Sequence, residues 1–383
     1  MNTRNPEMND VLIDCRSVWK IFGDKAPQAL KAIEERGLTK TQVLREFDCV
    51  VGVSDVNLQV RKGEIFCIMG LSGSGKSTLI RMLNRLIDPS GGSIHIKGQN
   101  LLSLNAKELR AMRAKNIGMV FQSVALLPQR TVLENAAFGL EVQGVAKVER
   151  LEVAARALAK VGLSDWASRY PDQLSGGMQQ RVGLARAIAA DPEIILMDEP
   201  FSALDPLIRR QLQDEFRQLS KDLGKSAVFI THDLDEAIRI GDRIAIMKDG
   251  VIVQTGTAEE IVMHPADAYV GEFVAGISHL HLIKAHSVMC PVSDFRQSCP
   301  QVDIAQLPRT SCESDLDELI SIMIDAKDQA IAVQKGEAIL GIVTARTLLL
   351  GVKGVPTSDS GECPSVTAAG AGERPSVNLA EVS

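Results

Sequence analysis

The chain is long and mildly acidic. It has 383 residues, 45% of them hydrophobic, and its 42 Lys and Arg stand against 48 Asp and Glu for a net charge of -6. At roughly 100 to 200 residues per domain, this length predicts two or three globular domains with sizeable cores. The acidic balance disfavours a nucleic-acid binder that relies on neutralising phosphates, so we expect no nucleic-acid partner.

The N-terminal residues and the cysteines both favour a cytosolic chain. Residues 1–10 are polar, and at no point do about 18 uncharged apolar residues follow one another. The seven cysteines are an odd number without Cys-x-x-Cys spacing, which is typical of reduced thiols. We therefore expect a cytosolic protein whose contact with a membrane depends on a partner.

The first local pattern in chain order lies within residues 24–50. Leu30 and Ile33 fall on one face of a predicted helix that Gly37 ends. Thr39 and Gln42 then have the spacing of a capping box that begins a second helix. The segment predicts an inserted helical pair, to which the pattern alone assigns no role.

The next pattern is a glycine-rich loop between a strand and a helix. The apolar run GEIFCIMG predicts a buried strand, and KSTLIRMLNRLI has helical periodicity. Between them GLSGSGKS matches the complete P-loop pattern, in which backbone N–H groups cradle phosphates, Lys76 reaches the β and γ phosphates and Ser77 holds Mg²⁺. This context favours a nucleotide site over a structural glycine loop. The contacts are expected from Gly70, Leu71, Ser72, Gly73, Ser74, Gly75, Lys76, Ser77 and Thr78.

Gln122 follows a further apolar run, in MVFQS, and precedes a segment without strand patterns. Its amide can reach Mg²⁺ and an attacking water, although a glutamine taken alone is more typical of an ordinary surface position. Residues 123–175 have helical periodicity, as in RLEVAARALAKVGL, and predict a helical subdomain inserted into the core.

Two more buried strands are predicted by the apolar runs EIILMDEP and SAVFITHD. Each run ends in acidic or polar residues, and ligand groups in parallel α/β sheets lie at the carboxyl ends of the strands. The fold class is therefore α/β, with a doubly wound core of the P-loop NTPase type.

The polar residues at these strand ends suit the hydrolysis of a nucleotide. Asp198 can hold the metal through its water shell, and Glu199 can orient or deprotonate an attacking water. His232 can hydrogen-bond the γ-phosphate. Taken alone, the two carboxylates are typical of solvated surface groups and the histidine of a structural residue, so the P-loop in the same chain decides the assignment.

Residues 283–355 have the pattern of a small α+β module. SDLDELISIMIDA predicts a helix, AIAV and AILGIV predict strands, and TARTLLLGV predicts a short helix. Three histidines and a cysteine lie close together in HLHLIKAHSVMC, with two histidines on one predicted strand face, but a linker with chance histidines is more typical than a metal site. Residues 356–383 are rich in Pro, Ser, Gly and Ala, which predicts a disordered tail.

Taken together, the motifs resemble the nucleotide-binding cassette of ABC transporters. GLSGSGKST, the glutamine, LSGGMQQR, LMDEP, SALD and TH follow one another in the order of that family, over residues 11–255. The resemblance implies that Ser175, Gly176 and Gly177 close over ATP held by a second copy of the chain, with a helix N-terminus and a hydroxyl facing the γ-phosphate. Met178 stands where the family pattern has Gln. Asp205 of SALD is implied to lie at the same dimer seam.

The family also stacks an aromatic side chain on adenine, and Phe22 in VWKIFG stands at that position. The alternative for Phe22 is a core aromatic. Stacking would add the base to the contacts that the P-loop makes with the phosphates.

A closer resemblance is to the ATPase subunits of glycine betaine and proline importers. KIFG, the helical insertion, IMGLSGSGKSTLIRMLNRLI, FSALDPLIR and HDLDEAIRIGDRIAIM carry this resemblance. It implies a bacterial osmoprotective importer in which residues 1–282 form the cassette, peripheral on the cytoplasmic face of the plasma membrane. It also implies permease subunits that dock near Gln122, and a solute-binding protein reached through the permease. For ALLPQRTVLENAAFGL, an ordinary amphipathic helix face is an equally good interpretation.

The C-terminal module, through LGIVTARTLLLGV, resembles one CBS motif, of which such ATPases often carry two as regulators. Thr347 stands where nucleotide-binding CBS motifs carry an aspartate for ribose, so adenosine binding is not implied. The resemblance leaves open whether the module pairs across a dimer or is vestigial.

Two alternatives concern the solute and the class of protein. An importer of choline or of another amino acid would have the same cassette, because other subunits recognise the solute. A soluble ABC protein that acts on DNA or the ribosome would carry long coiled-coil inserts or two cassettes. The chain has one cassette, no heptad array and an acidic balance, which disfavours that class.

Overall fold

The computed structural model describes residues 10–326 and 330–354. They form two compact units, of which the first holds the described residues up to 261 together with 265–276, and the second holds 262–264 and the described residues from 277 onward. The sequence analysis predicts a domain boundary between residues 282 and 283, a few residues after this change of unit. The predicted disordered tail lies outside the described residues. Within them, no helix combines the length and the apolar composition that crossing a bilayer requires.

The first unit combines two sheets with helices. Its elements in chain order are β1 (Val11–Phe22), α1 (Ala26–Arg36), α2 (Lys40–Phe47), β2 (Val50–Arg61), β3 (Ile65–Met69), α3 (Lys76–Leu83), β4 (Gly91–Ile96), β5 (Gln99–Asn100), α4 (Ala106–Asn116), β6 (Ile117–Val120), α5 (Val132–Val142), α6 (Lys147–Lys160), α7 (Gly176–Ala189), β7 (Ile194–Asp198), α8 (Pro206–Asp222), β8 (Ser226–Thr231), α9 (Leu234–Ile240), β9 (Arg243–Lys248), β10 (Val251–Gly256), α10 (Ala258–Met263), whose last two residues are assigned to the second unit, and α11 (Ala268–Val274).

The larger sheet carries the predicted strands. Its order is β10-β9-β3-β8-β7-β6, and all neighbours pair in parallel except β10, which runs antiparallel to β9. Every residue of β3, β7 and β8 is buried, as expected for the apolar runs of a parallel sheet. The α/β fold class is confirmed. Met69, Asp198 and Thr231 end neighbouring strands, so the residues that follow them start from the same edge of the sheet.

The smaller sheet is antiparallel and has the order β2-β1-β4-β5. β1 and β2 pair along their whole length, from Val11 opposite Arg61 to Phe22 opposite Val50. Apart from Ile21 and Val51, their buried residues share one apolar core with Phe66 of β3 and with helix α3. The two sheets therefore fold around a common interior, which fixes the end of β1 relative to the P-loop.

The predicted helical insertion is confirmed as α1 and α2. Gly37 ends α1 in the left-handed conformation, with φ +63°, where a side chain would be strained. Thr39 caps α2, and its capping box with Gln42 is formed as predicted. Both helices pack on the outer ends of β1 and β2 around a small core that includes Ile21, Ala29, Val43, Cys49 and Val51.

Residues 123–175 contain no strand, as predicted. They supply α5 and α6, which pack against each other and against α7. Thr131 begins α5 with a capping box to Glu134, and Asn135 of the same helix is fully buried. The side-chain oxygen of Asn135 accepts the N–H of Leu127 at 2.7 Å, and its side-chain nitrogen donates to the carbonyl oxygen of Leu127 at 3.0 Å. These bonds fix the connection that follows Gln122 against the helical subdomain.

The second unit is a small α+β module. Its elements are α12 (Ala285–Val288), α13 (Val292–Ser298), β11 (Arg309–Ser311), α14 (Leu316–Ala326), β12 (Ala330–Lys335), β13 (Ala338–Thr344) and α15 (Ala345–Val352). β12 pairs in parallel with β11 and antiparallel with β13. The two predicted helices and two predicted strands are confirmed, whereas β11, α12 and α13 are too short for a periodic pattern to mark them.

Two details of the second unit bear on the sequence predictions. Thr347 is buried, and its hydroxyl accepts the N–H of Thr344 at 2.9 Å in the capping box of α15. Its side chain therefore serves the helix start. His279 and His281 lie in a loop, which agrees with the linker that the sequence analysis favoured over a shared strand face. No group of three or more His, Cys, Asp or Glu among the described residues is placed to hold a metal ion.

Candidate functional site

The P-loop joins β3 to α3 by close backbone approaches that only glycine permits. A Cβ on Gly70 would stand 2.1 Å from the carbonyl oxygen of Met247. A Cβ on Gly75, which caps α3 with φ +101°, would stand 2.5 Å from the carbonyl oxygen of Gly52. The loop residues Leu71, Ser72 and Gly73 are exposed, and Thr78 lies in the first turn of α3. Backbone N–H groups at a helix start attract anions, so this geometry suits a polyphosphate.

Lys76 lies inside the curve of the loop. It is 4% exposed, and its Nζ donates to the carbonyl oxygens of Gly70 and Leu71, at 2.8 and 3.0 Å. Burial lowers the pKa of Lys76, while the nearby carboxylates of Glu199 and Asp198 act in the opposite direction. The lysine is thus a cation enclosed by the loop.

Ser77 and Asp198 form the oxygen-rich part of the site. The Ser77 hydroxyl donates to Oδ1 of Asp198 at 2.9 Å, although the two residues are 121 positions apart. Asp198 is 4% exposed, and the guanidinium of Arg81 lies 3.7 Å from its other oxygen. The structure therefore brings together two of the three predicted metal-binding residues. Arg81 escaped the sequence analysis because no motif marks it.

Glu199 and His232 form the second pair at the strand ends. His232 Nδ1 lies 3.1 Å from Oε2 of Glu199. Glu199 follows β7 with φ +45°, an uncommon conformation for a residue with a side chain, and its N–H donates to the carbonyl of Ile230 at 3.2 Å. Its side chain is 18% exposed and that of His232 is 55% exposed. The pair therefore offers a hydrogen-bonded carboxylate that solvent can reach.

Gln122 lies beside this pair but does not contact it directly. It is exposed, and its Nε2 donates to the hydroxyl of Ser202 at 3.4 Å. That hydroxyl in turn donates to the backbone oxygen of Glu199 at 3.0 Å. Ser202 was missed by the sequence analysis, although it stands in the quoted FSALD motif. The third predicted metal-binding residue is thus linked to the site through a serine.

Helices α8 and α9 support the two catalytic candidates from behind. Arg209 of α8 donates to the carbonyl oxygens of Ser202 and Leu204, both at 3.1 Å, and lies 3.7 Å from Asp233. A second link runs through Glu236, which accepts from Gln213 at 2.9 Å and from Thr231, next to His232. Burial raises the pKa of Glu236. These links tie the SALD segment to the strand end that carries His232.

The signature LSGGMQQR begins the long helix α7. Ser175 is the N-cap residue and accepts the N–H of Met178 at 3.3 Å, and both Ser175 and Gly176 are exposed. A Cβ on Gly177 would come within 2.9 Å of Ile208 in α8, which begins just after Asp205. Among the described residues, no hydrogen bond or ion pair joins positions 175–177 to the P-loop. The helix start therefore faces outward beside Asp205.

Phe22 lies at the end of β1, near the P-loop. The residue is 40% exposed, and its ring lies against Gly52, where a Cβ would approach the ring to 2.8 Å. The carbonyl oxygen of Gly52 faces Gly75. The ammonium of Lys20 lies 5.1 Å from the ring centroid. Phe22 is therefore not a core aromatic, and stacking on a base stays a prediction.

The residues present fit a nucleoside triphosphate with a divalent cation. The hydroxyl of Ser74 is buried inside the P-loop with no hydrogen-bond partner among the described residues. Lys76 supplies a cation, and Ser77 and Asp198 supply the hard oxygen ligands that Mg²⁺ prefers. The loop thus offers polar groups of the kind that phosphate oxygens and a metal ion require.

Comparisons with known proteins identify the family. A family model described as ABC transporter matches residues 53–202. The glycine betaine transport ATP-binding protein OpuAA of Bacillus subtilis is 53% identical over 73% of this chain and 66% of its own length. The glycine betaine/carnitine transport ATP-binding protein GbuA of Listeria monocytogenes is 49% identical over 79% and 76%. The glycine betaine/proline betaine transport ATP-binding protein ProV of Salmonella typhimurium is 46% identical over 88% and 82%.

Solved structures agree with the fold. A dimeric structure of the bacterial ABC transporter cassette MJ0796 is 33% identical, with a TM-score of 0.54, and covers 64% of this chain and 99% of that chain. A post-hydrolysis dimer of the same cassette, bound to ADP and phosphate, is 32% identical with the same TM-score and coverage. The CBS resemblance of the second unit stays a prediction, because the matched family model ends at residue 202. The chain belongs to the ATP-binding proteins of the ABC transporter family.

Proposed function

We propose that the chain hydrolyses ATP, with Mg²⁺, to drive the import of glycine betaine, proline or a related quaternary ammonium solute. One observation carries the hydrolytic part: Ser77 with Asp198, and Glu199 with His232, form two hydrogen-bonded pairs at the same edge of the parallel sheet. The relatives are named for glycine betaine, carnitine and proline betaine transport, which supports the choice of solute.

The chemistry follows from the placement of these side chains. The P-loop N–H groups and Lys76 bind the β and γ phosphates, while Ser77 and Asp198, with Gln122 nearby, hold Mg²⁺. The metal supplies neutralisation of the charge that develops on the phosphates. A water oxygen bonds the γ-phosphorus as the bond to the ADP oxygen breaks, and Glu199 accepts the proton of that water. His232 orients Glu199 and donates to the γ-phosphate.

A second copy of the chain completes the site. The start of α7 at Ser175 is exposed, and among the described residues no hydrogen bond joins it to its own P-loop. The Ser175 oxygen accepts the N–H of Met178, so its O–H group can still donate to another molecule. Gly176, Gly177 and Asp205 lie on the same surface and form the seam. Two cassettes then enclose two ATP molecules, and hydrolysis reopens them. The dimeric cassettes among the solved structures support this arrangement.

The membrane partners are permease subunits. Closure of the two cassettes around ATP changes the conformation of these subunits. Their docking place is the start of the helical subdomain after Gln122, within ALLPQRTVLENAAFGL. The chain is then peripheral on the cytoplasmic face of the plasma membrane, and the solute-binding protein is reached only through the permease. The relatives are named as transport ATP-binding proteins, which supports a membrane partner of this kind.

Uptake into proteoliposomes tests the proposal. The chain is reconstituted with its permease subunits, the solute-binding protein is added outside, and the uptake of radiolabelled glycine betaine is followed with internal ATP and Mg²⁺. We expect uptake by the wild-type chain and none by Lys76→Ala. We also expect excess unlabelled proline betaine to suppress the uptake. If the chain hydrolyses ATP but no quaternary ammonium compound is taken up, the ATPase activity would stand and the proposed solute class would be refuted.

Choline is the second candidate solute. The choline transport ATP-binding protein OpuBA of Bacillus subtilis is 41% identical over 75% of this chain and 72% of its own length. The cassette does not contact the solute, so the same proteoliposomes must be given choline and glycine betaine at equal concentration. Faster uptake of choline would favour this candidate.

A further inference from the structure

The helical insertion is a rigid part of the cassette. Arg36 at the end of α1 forms two hydrogen bonds to Glu46 of α2, at 2.6 and 2.9 Å. Val43 of α2 is fully buried on the small core that the insertion shares with β1 and β2. The capping box at Thr39 fixes the first turn of α2. A hairpin held in these three ways places the first residue of α2 accurately.

That first residue, Lys40, occupies a position that is unfavourable for its own helix. A cation at a helix N-terminus meets the positive end of the helix dipole, and α2 has no acidic residue in its first turn to offset it. Lys40 is also partly buried, and burial lowers its pKa while the Asp249 carboxylate acts in the opposite direction. Its position therefore needs a favourable contact outside the helix.

Lys40 makes this contact with the turn between β9 and β10. Its ammonium donates to the carbonyl oxygen of Asp249, 209 positions away in the chain. A Cβ on the next residue, Gly250, would stand 3.1 Å from the same ammonium. Asp249 and Gly250 both have positive φ, +46° and +77°. These angles suit the two-residue hairpin turn between Lys248 and Val251, for which Asp-Gly is a favoured pair, so Lys40 contacts a well-defined turn.

The supported turn is bonded directly to the P-loop. The N–H of Gly250 donates to the carbonyl oxygen of Ser74 at 2.9 Å, and its own carbonyl accepts from the N–H of Ser54 at 2.8 Å. The Gly52 carbonyl oxygen lies between this turn and Gly75. A Cβ added to Gly250 would stand 2.8 Å from this oxygen, and one added to Gly75 would stand 2.5 Å from it. A shift of the turn would therefore move the peptides that precede Lys76.

We propose that Lys40 is a positioning residue for ATP, and that the insertion acts as a brace for the phosphate-binding loop. By holding the Asp249–Gly250 turn, Lys40 fixes the Ser74 peptide and hence the direction of the loop N–H groups. The inference rests on the proposed ATP site and gives the insertion a role in nucleotide affinity. Among the described residues, no hydrogen bond or ion pair joins Glu199 or His232 to Lys40, Asp249 or Gly250, so we expect the brace to affect ATP binding more than the chemical step.

The test compares substitutions of Lys40 in the full chain. We expect Lys40→Met to raise the KM for ATP and the Kd of a fluorescent ATP analogue about three- to tenfold, because one charge-assisted hydrogen bond acting through a turn is lost. The kcat is expected to change less than about twofold, since the catalytic pair is untouched. Lys40→Arg keeps the positive charge and the hydrogen-bond donors, so it is expected to have the wild-type KM for ATP. Lys31→Met, on an exposed lysine of α1, is the matched control.

Each outcome decides a separate question. A wild-type chain that binds no ATP analogue would overturn the proposed function before any variant is compared. Lys40→Met with the KM of Lys31→Met, or with a lowered kcat at unchanged KM, would overturn the brace alone. If Lys40→Met does not fold, Lys40→Gln and Lys40→Arg carry the test: we expect the KM to rise in the first and not in the second, and equal values would overturn the inference.

Discussion

Replacement of Glu199 by glutamine tests the hydrolytic assignment most sharply, because the two side chains have the same shape. Glutamine keeps an oxygen and gains an amide, so it can still hydrogen-bond His232 Nδ1, which lies 3.1 Å from the carboxylate. It cannot accept a proton from water at neutral pH. The substitution therefore removes the base and leaves the surrounding geometry in place.

The size of the effect follows from the role of a general base. Such a base contributes about 10² to 10⁴ in rate, equivalent to about 2.7 to 5.4 kcal/mol of barrier. We expect the hydrolysis rate of Glu199→Gln to fall within this range. ATP binding is expected to stay or to tighten, because the carboxylate acts on Lys76 across the site and its removal lessens repulsion of the triphosphate.

Single-turnover phosphate release and equilibrium binding of a fluorescent ATP analogue measure these two quantities separately. Glu149→Gln, on an exposed glutamate of α6, is the matched control and is expected to behave as wild type. Hydrolysis by Glu199→Gln at the wild-type rate would refute the base assignment. Loss of ATP binding in this variant would show that the carboxylate serves binding.

Two further predictions concern adenine and pH. We expect Phe22→Ala to weaken ATP binding about tenfold, as one base–aromatic stack is worth about 1–3 kcal/mol, and Phe22→Tyr to bind normally; unchanged Kd values for both variants would exclude stacking. Burial raises the pKa of Glu236 above its ordinary value of 4.5, so the folded state binds this proton more tightly than the unfolded state. The contribution of Glu236 to the stability of the wild type therefore decreases as pH rises from about 4.5 through the raised pKa. Glu236→Gln has no such decrease. The Tm of Glu236→Gln relative to wild type should increase with pH over this window, and a constant difference would contradict this reasoning.

The features that sequence alone predicted are those marked by local patterns. The P-loop is contiguous, and its glycines and Lys76 stand between a strand and a helix that periodicity identifies. Asp198 and Glu199 follow a buried apolar run, and the rule that ligands gather at the carboxyl ends of parallel strands placed them near Ser77. The structure shows this contact across 121 positions.

The features that sequence could not predict depend on contacts between distant backbone groups. Lys40 donates to the carbonyl oxygen of Asp249, and any residue type can supply a carbonyl, so no pattern marks the partner. Arg209 likewise binds the backbone oxygens of Ser202 and Leu204. Strand β11 has three residues, too few for an alternation to appear. Its place in the sheet is set by its pairing with β12.

In the proposed dimer, each ATP site is built from two copies of the chain. Lys76→Ala has a defective P-loop and an intact signature. Ser175→Arg has an intact P-loop and a defective signature. In a mixture, a pair made of one copy of each contains one site with both intact parts. We predict that the mixed variants hydrolyse ATP well above the sum of their separate rates, and that the gain disappears on dilution. A mixture no more active than that sum, with both variants folded, would contradict the account.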